Sequence, residues 1–351
     1  LYYLKYILNF MPSYDQKINK LFYYWLLLSL LLVFAMIIVG GLTRLTNSGL
    51  SITEWELFEG ILPPMNSQEW GEYFDLYKKI PQYILLNSSM TLSEFKTIFF
   101  WEYYHRFLGR IIGIFFLFPL LYFYLTKKIN KNYIFTCFII LFFILTQGFV
   151  GWYMVKSGLV NNVTVSHYRL SLHLVIAFFI ISVIFWLILN VKEKTYNNFF
   201  LLKKDNFLFY FLFVLVFLQI IIGAFVSGLD AGLIYQTWPL MDKTYFPSDV
   251  NINIFTDYLD FNNHGLVQFI HRNLGYLIIL YVALVGYVIY VKNLRKLFKP
   301  FYLVSFFVFL QIILGIFTLI SGLNIFLASA HQICSLFLIL SLVNLYYLHI
   351  N

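Results

Sequence analysis

Apolar residues in this chain come in blocks of about twenty, separated by shorter polar stretches, and do not alternate with polar residues as they would in a half-buried strand. Eight blocks stand out, at about 21–42, 99–125, 132–154, 170–190, 207–229, 265–291, 300–322 and 325–348. Each is long enough to cross the roughly 30 Å hydrocarbon core of a bilayer as a helix. The pattern predicts an all-α integral membrane protein with eight transmembrane helices. In the polar stretch between the first two blocks, Ser67 to Ile80 places Trp70, Phe74 and Tyr77 on one helical face. A short amphipathic helix is expected there, ended by Pro81, lying on the membrane surface or lidding a site. Thr91-Leu92-Ser93-Glu94 has capping-box spacing and predicts a helix start that runs on into the second span.

Composition agrees: of 351 residues, 61% are hydrophobic and 11% charged, which excludes an ordinary soluble domain. A net charge of +8 could suit nucleic acid, but its placement argues against that partner. Basic residues concentrate in the N-terminal segment (Lys5, Lys17 and Lys20 against Asp15) and in loop 126–131 (Lys127, Lys128, Lys131). They recur in 191–206, with four lysines against Glu193 and Asp205, and in 292–299, with Lys292, Arg295, Lys296 and Lys299. Segment 43–102 instead carries eight acids to four bases, and 230–264 carries five acids to Lys243 alone. The positive-inside rule then puts both termini inside and loops 43–98 and 230–264 outside. Loop 155–169, with Lys156 and Arg169 and no acid, is the one exception. No Arg- and Ser-rich transit segment precedes the first span. A bacterial plasma (inner) membrane or a mitochondrial inner membrane is expected, with the termini on the cytoplasmic or matrix side.

The blocks repeat. Gly40-Gly41 with Gly49 returns at one constant offset as Gly223-Ala224 with Gly232, and Gln147 with Gly151 returns as Gln311 with Gly315. The chain therefore reads as two tandem four-helix bundles, 1–190 and 207–351, joined by an inner linker at 191–206. An even number of spans per unit makes the copies parallel, related by an axis along the membrane normal. The Gln-x-x-x-Gly pairs read as close-packing sites between helices.

The repeat also carries the chemistry. His105-Arg106-Phe107-Leu108-Gly109 returns as His271-Arg272-Asn273-Leu274-Gly275, and Ser171-Leu172-His173 answers Ser329-Ala330-His331. Ionisable residues inside spans are rare and mark function by default. All four histidines fall on even-numbered spans, near the outer end. Two helices of one bundle can thus present imidazoles from opposite sides of a plane, the geometry of axial heme ligation. The natural pairs are His105 with His173 and His271 with His331. Zinc fits less well, because no third or fourth ligand repeats beside them. Gly109 and Gly275, one turn below a histidine, leave room for a flat macrocycle. Arg106, Arg110 and Arg272 could pair with propionates, or could simply snorkel.

The two copies differ at one telling position. Glu102 lies three residues before His105 on the same helical face, whereas the counterpart before His271 is Gln268. Glu102 could act as a catalytic acid or base or serve as a partner for Arg106. The asymmetry suggests one heme that reacts and one that carries electrons. His167, His264 and His349 lack repeat partners and read as interfacial or solvated. Cys137 and Cys334 read as small buried hydrophobes.

The stretches Gly40 to Ser51, Glu54-Trp55, Gly60-Ile61-Leu62-Pro63-Pro64, Glu69-Trp70 and Trp101-Glu102 through Arg110 resemble the heme A synthase family. Gln147-Gly148, His173, Gln268 through Gly275 and His331 carry the likeness across nearly the whole chain. The long first loop is similar to the mitochondrial and alphaproteobacterial branch and lacks the cysteine pair of the other branch. The resemblance implies oxidation of the C8 methyl of heme O to a formyl group, by successive hydroxylation and loss of water from the diol, giving heme A for cytochrome c oxidase. It implies that His271 and His331 hold a resident heme b while His105 and His173 face substrate heme O, with Glu102 in catalysis. Implied partners are heme O supplied by heme O synthase, membrane lipid and an electron donor the sequence does not identify; homo-oligomer formation stays open. The alternatives are a di-heme electron-transfer protein of cytochrome b type and a heme transporter or chaperone.

The charge alternation generates a topology test. Single cysteines at Ser67 and Lys194 should divide an impermeant thiol reagent added from outside, the first labelled and the second protected. The reverse result would invert the orientation.

Overall fold

The computed structural model of the protein describes residues 20–54, 59–159, 163–199, 206–250 and 255–350. Lys5, Lys17 and Asp15, Trp55, and Lys203, Lys204 and Asp205 of the inner linker lie outside the described residues. The helices in chain order are α1 (Lys20–Leu45), α2 (Ser67–Tyr77), α3 (Pro81–Leu86), α4 (Leu92–Thr126), α5 (Lys131–Gly158), α6 (His167–Glu193), α7 (Phe207–Gly228), α8 (His264–Val291), α9 (Phe298–Ile320) and α10 (Ile325–Ile350). All but α2 and α3 are long and apolar enough to span a membrane, which gives the eight expected spans.

Helix ends follow the capping chemistry more than the apolar blocks. α4 starts well before its apolar block because Thr91 Oγ1 accepts from the Glu94 amide and Glu94 Oε2 accepts from the Thr91 amide. α2 starts where Asn66 Oδ1 accepts from the Glu69 amide at 2.9 Å. It buries Trp70, Phe74 and Tyr77, as its pattern predicts, against Phe95, Phe99 and Tyr103 of α4. The Trp70 and Phe99 rings meet edge to face at 5.0 Å between centroids, a contact worth about 0.5–1.5 kcal/mol beyond its area. Pro81 does not end α2, which stops at Tyr77; it opens α3 as first residue, where its missing amide hydrogen costs nothing. The described part of the segment between α1 and α4 is thereby folded against the N-terminal turns of α4.

The eight spans close into two rings. α1 packs on α4, α4 on α5, α5 on α6 and α6 back on α1; α7, α8, α9 and α10 repeat the cycle. The rings meet through α6 with α7, α1 with α10, and α6 with α10. These contacts suit a pseudo-two-fold axis that exchanges α1 with α7 and α6 with α10. α6 lies deepest: 67% of its most apolar stretch is buried in protein, against at most 39% for any other span. Since lipid tails compete with apolar side chains for contact, packing and polar ties hold such helices together. One tie is Ser171 Oγ on α6, donating to the Ile221 carbonyl on α7 at 3.2 Å. Another is Arg44 at the end of α1, which donates to the Ser227 and Gly228 carbonyls at the end of α7 and pairs with Asp230 at 2.9 Å. A guanidinium there satisfies carbonyls that the last turn leaves open and meets the negative end of the helix dipole. Cys137 and Cys334 are both free and buried.

Candidate functional site

His105 on α4 and His173 on α6 face each other diagonally across the first ring, their imidazole centroids 6.4 Å apart and their planes tilted by 58°. Each of the four motif histidines lies against a glycine of a neighbouring span. A methyl group on Gly40 (α1) would stand 2.9 Å from His105 Cε1, and on Gly151 (α5) 3.1 Å from His173 Cε1. In the second ring the same construction puts Gly223 (α7) at 3.0 Å from His271 Cε1 and Gly315 (α9) at 3.1 Å from His331 Cε1. All four are inside ordinary carbon–carbon contact of roughly 3.5–4.0 Å. In every case Nε2 is the farthest of the three nearest ring atoms, at 3.9 Å, so the Nδ1–Cε1 edge rests on the glycine and Nε2 faces away.

That arrangement fits a metal held between two Nε2 atoms. A metal–nitrogen bond of about 2 Å on each side, plus the depth of two rings, asks for about 6 Å between centroids, and the first pair has 6.4 Å. Nδ1 is buried without a hydrogen-bond partner in His105, His173 and His271. Among the described residues no group of three or more His, Cys, Asp and Glu side chains converges on a metal position. Gln147 and Gln219 fix the ligand turns: Gln147 Nε2 donates to the His173 carbonyl at 2.8 Å and Gln219 Nε2 to the His271 carbonyl at 3.0 Å. Gly109 and Gly275 face Met36 and Gln219 respectively: an added methyl would stand 3.3 Å from the flexible Met36 Cε, inside ordinary contact, and 3.7 Å from Gln219 Nε2, an ordinary contact.

Glu102 is buried, with four donors on its carboxylate. Ser51 Oγ at 2.7 Å and the Ile52 amide at 2.9 Å reach Oε2, while Arg106 Nη2 at 2.6 Å and Nε at 3.1 Å reach Oε1. Arg106 Nη2 also donates to the Ile52 carbonyl at 2.9 Å. The pairing with Arg106 is thus present, and it fastens the start of the segment that follows α1 to the histidine turn of α4. In the second ring Tyr235 occupies the place of Ile52, at the offset that relates Gly40 to Gly223. Its carbonyl accepts from Gln268 Nε2 and from Arg272 Nη2, both at 2.9 Å. One fastening is built on a charge and the other on a neutral carbonyl. Arg110 Nη1 donates to the Gly60 carbonyl at 3.0 Å, and a cavity of about 150 Å³ opens beside Arg106, lined also by Ile52, Glu54, Trp152 and Lys156. A carboxylate-bearing group could approach the guanidinium from that side.

His167 departs from the solvated reading. It is 8% exposed, packed against Phe225, because Gly228 at the end of α7 has no side chain to keep it out. His349 stacks on Phe209 at 4.0 Å. The imidazole-bearing role of Gly40, Gly151, Gly223 and Gly315 is the main feature the sequence left unread. The repeat marked these positions, and close packing was the correct physics, but the packed object is a ring.

A sequence profile of the family described as cytochrome oxidase assembly protein matches residues 23–343. The chain is 47% identical over 328 residues to a heme A synthase of Pelagibacter ubique, covering 93% of this chain and 96% of that one. It is 41% identical over 320 residues to a heme A synthase of Wolbachia pipientis, covering 90% and 93%. With a heme A synthase of Flavobacterium johnsoniae it shares 39% over 337 residues, covering 92% and 96%.

The glycine contacts give a direct test. Gly40→Ala should displace the His105 ring and Gly223→Ala the His271 ring, each costing about 1–3 kcal/mol of stability as an overpacked core does. Thermal unfolding in detergent, with the absorption spectrum of any bound heme, checks both. A Gly223→Ala protein with unchanged stability and spectrum would show that the ring has room to spare.

Proposed function

The chain belongs to the cytochrome oxidase assembly protein family, and on that premise we propose that it is a heme A synthase with one histidine pair for its substrate and one for a resident heme. It is an oxidoreductase that converts heme O to heme A, by oxidation of the C8 methyl to a formyl group, and the product serves cytochrome c oxidase. The observation that carries the two-site reading is the matched set of four imidazoles, each set on a glycine and paired across its own four-helix ring.

In the first ring, residues 1–190, His105 and His173 hold the iron of heme O between them and so fix which ring edge meets the protein. Arg106 and Arg110 stand at the outer end of the same helix and suit the propionates, with the cavity beside Arg106 as the approach. The first external segment, packed on α4 through α2, excludes water from the reacting edge. Each hydroxylation of the methyl, with dioxygen as the oxidant, consumes two electrons from the donor and two protons and releases water, and Glu102, one turn from His105, would pass those protons to the reacting edge. In the second ring, residues 207–351, His271 and His331 hold a heme b, with Arg272 toward its propionates. When bound, that group supplies one-electron reduction and oxidation at its iron. Both termini face the cytoplasm or matrix, heme O synthase supplies the substrate, and an external donor renews the electrons.

Hemes extracted from cells with and without the gene test the activity: heme A should vanish and heme O accumulate without it. Unchanged heme A would favour a di-heme electron-transfer protein or a heme carrier.

Two sets of substitutions test the site. His271→Ala or His331→Ala should strip the tightly bound heme b, whereas His105→Ala or His173→Ala should leave it and stop turnover. The opposite pattern would exchange the roles of the halves. Glu102→Gln copies the second ring at nearly constant volume, so the fold and resident-heme spectrum should survive. Heme A output should fall by roughly 10²-fold or more if the carboxylate is an acid or base. Near-normal output would reduce Glu102 to the fastening of Ile52 and Arg106.

A further inference from the structure

The repeat breaks at two positions that the fold brings together. Gly41 follows Gly40 on α1, but its counterpart after Gly223 is Ala224; Gln332 follows His331 on α10, but its counterpart after His173 is Leu174. Across the contact of α1 with α10, Gln332 Nε2 donates to the Ile37 carbonyl at 3.0 Å. A methyl group on Gly41 would lie only 1.6 Å from Gln332 Oε1, so the amide occupies the space that a side chain there would fill. Ile37 lies one helical turn before Gly41, and Gly40 is the residue on which the His105 ring rests. The counterparts are apolar: Ala224 is buried, and Leu174 packs in the core. The two differences answer each other, a missing methyl for an added amide, and they occur on only one of the two pseudo-equivalent seams.

The amide therefore connects the two histidine sites. It begins one residue from a ligand of the second pair and ends on the helix turn that supports a ligand of the first. A buried polar group at a helix seam costs free energy unless its bonds are made, and leucine would pack there without that requirement. We propose that Gln332 is a positioning residue that locks the His331 turn to the His105 turn and so sets the spacing and the bonded route for electron transfer between the two hemes. The inference rests on the two-heme reading above. In the step it serves, one electron leaves the ferrous iron held by His271 and His331, which becomes ferric. It enters the ferric iron held by His105 and His173, which becomes ferrous; no proton is exchanged with the amide.

The test is the double variant Gly41→Ala with Gln332→Leu, which copies the packed apolar seam of the other side and should fold. Gln332→Met, which keeps length and loses only the hydrogen bond, serves as a second variant. Holoenzyme with its resident heme reduced is mixed with ferric heme O, and oxidation of the resident heme is followed in a stopped-flow spectrophotometer at saturating heme O. The potential of the resident heme is titrated separately. Wild-type potential and heme content are expected in both variants. The saturating rate should fall severalfold in both variants. A wild-type rate in the double variant, with heme content intact, would overturn the proposal and leave Gln332 as packing. A wild-type enzyme whose resident heme is not oxidised by heme O at all would overturn the two-heme reading, and this proposal with it.

Discussion

An imidazole can lie edge-on against a neighbouring helix only where that helix has no side chain. This steric condition is met four times, at Gly40, Gly151, Gly223 and Gly315, and much of the architecture follows from it. Each histidine-bearing span must run close beside a glycine-bearing one, which pairs α4 with α1, α6 with α5, α8 with α7 and α10 with α9. Those are neighbours in both four-helix rings, so ring closure and histidine placement are one problem solved in the same way twice. The bilayer helps, because small residues at helix contacts are what lipid-embedded bundles use to gain packing.

Duplication supplies two equal sites, and the differences between them are few and local. Glu102 against Gln268 changes how the outer segment is fastened. Met36 against Gln219 places a thioether near one site and an amide near the other, the latter 3.4 Å from His271 Nε2. Gly41 and Gln332 against Ala224 and Leu174 make one seam polar and the other apolar. Each of these exchanges alters the surroundings of a histidine pair while leaving the histidines alone.

The spans, the two-ring organisation and the four histidines were legible because they rest on block length and repetition, which a single sequence displays. Capping at Thr91 was legible too, and it explains why α4 outruns its apolar block. The grip of Ser51 and Ile52 on Glu102 was not, because it joins residues about fifty positions apart through a loop whose path no periodicity dictates. Gln332 was hidden for the opposite reason: attention to what repeats passes over the residue beside a motif that does not. His167 looked solvated from its place at a span end, and only the contact with Gly228 shows why it is buried.

The two fastenings also differ in what can remove them. At the second ring, Gln268 and Arg272 converge on the Tyr235 carbonyl, an acceptor whose strength is fixed by the peptide bond. At the first, Ser51, Ile52 and Arg106 converge on a carboxylate, an acceptor that belongs to one side chain. One fastening therefore hangs on a single side chain, so that Glu102→Gln removes its charge outright, whereas no side-chain substitution can remove the peptide carbonyl on which the other converges.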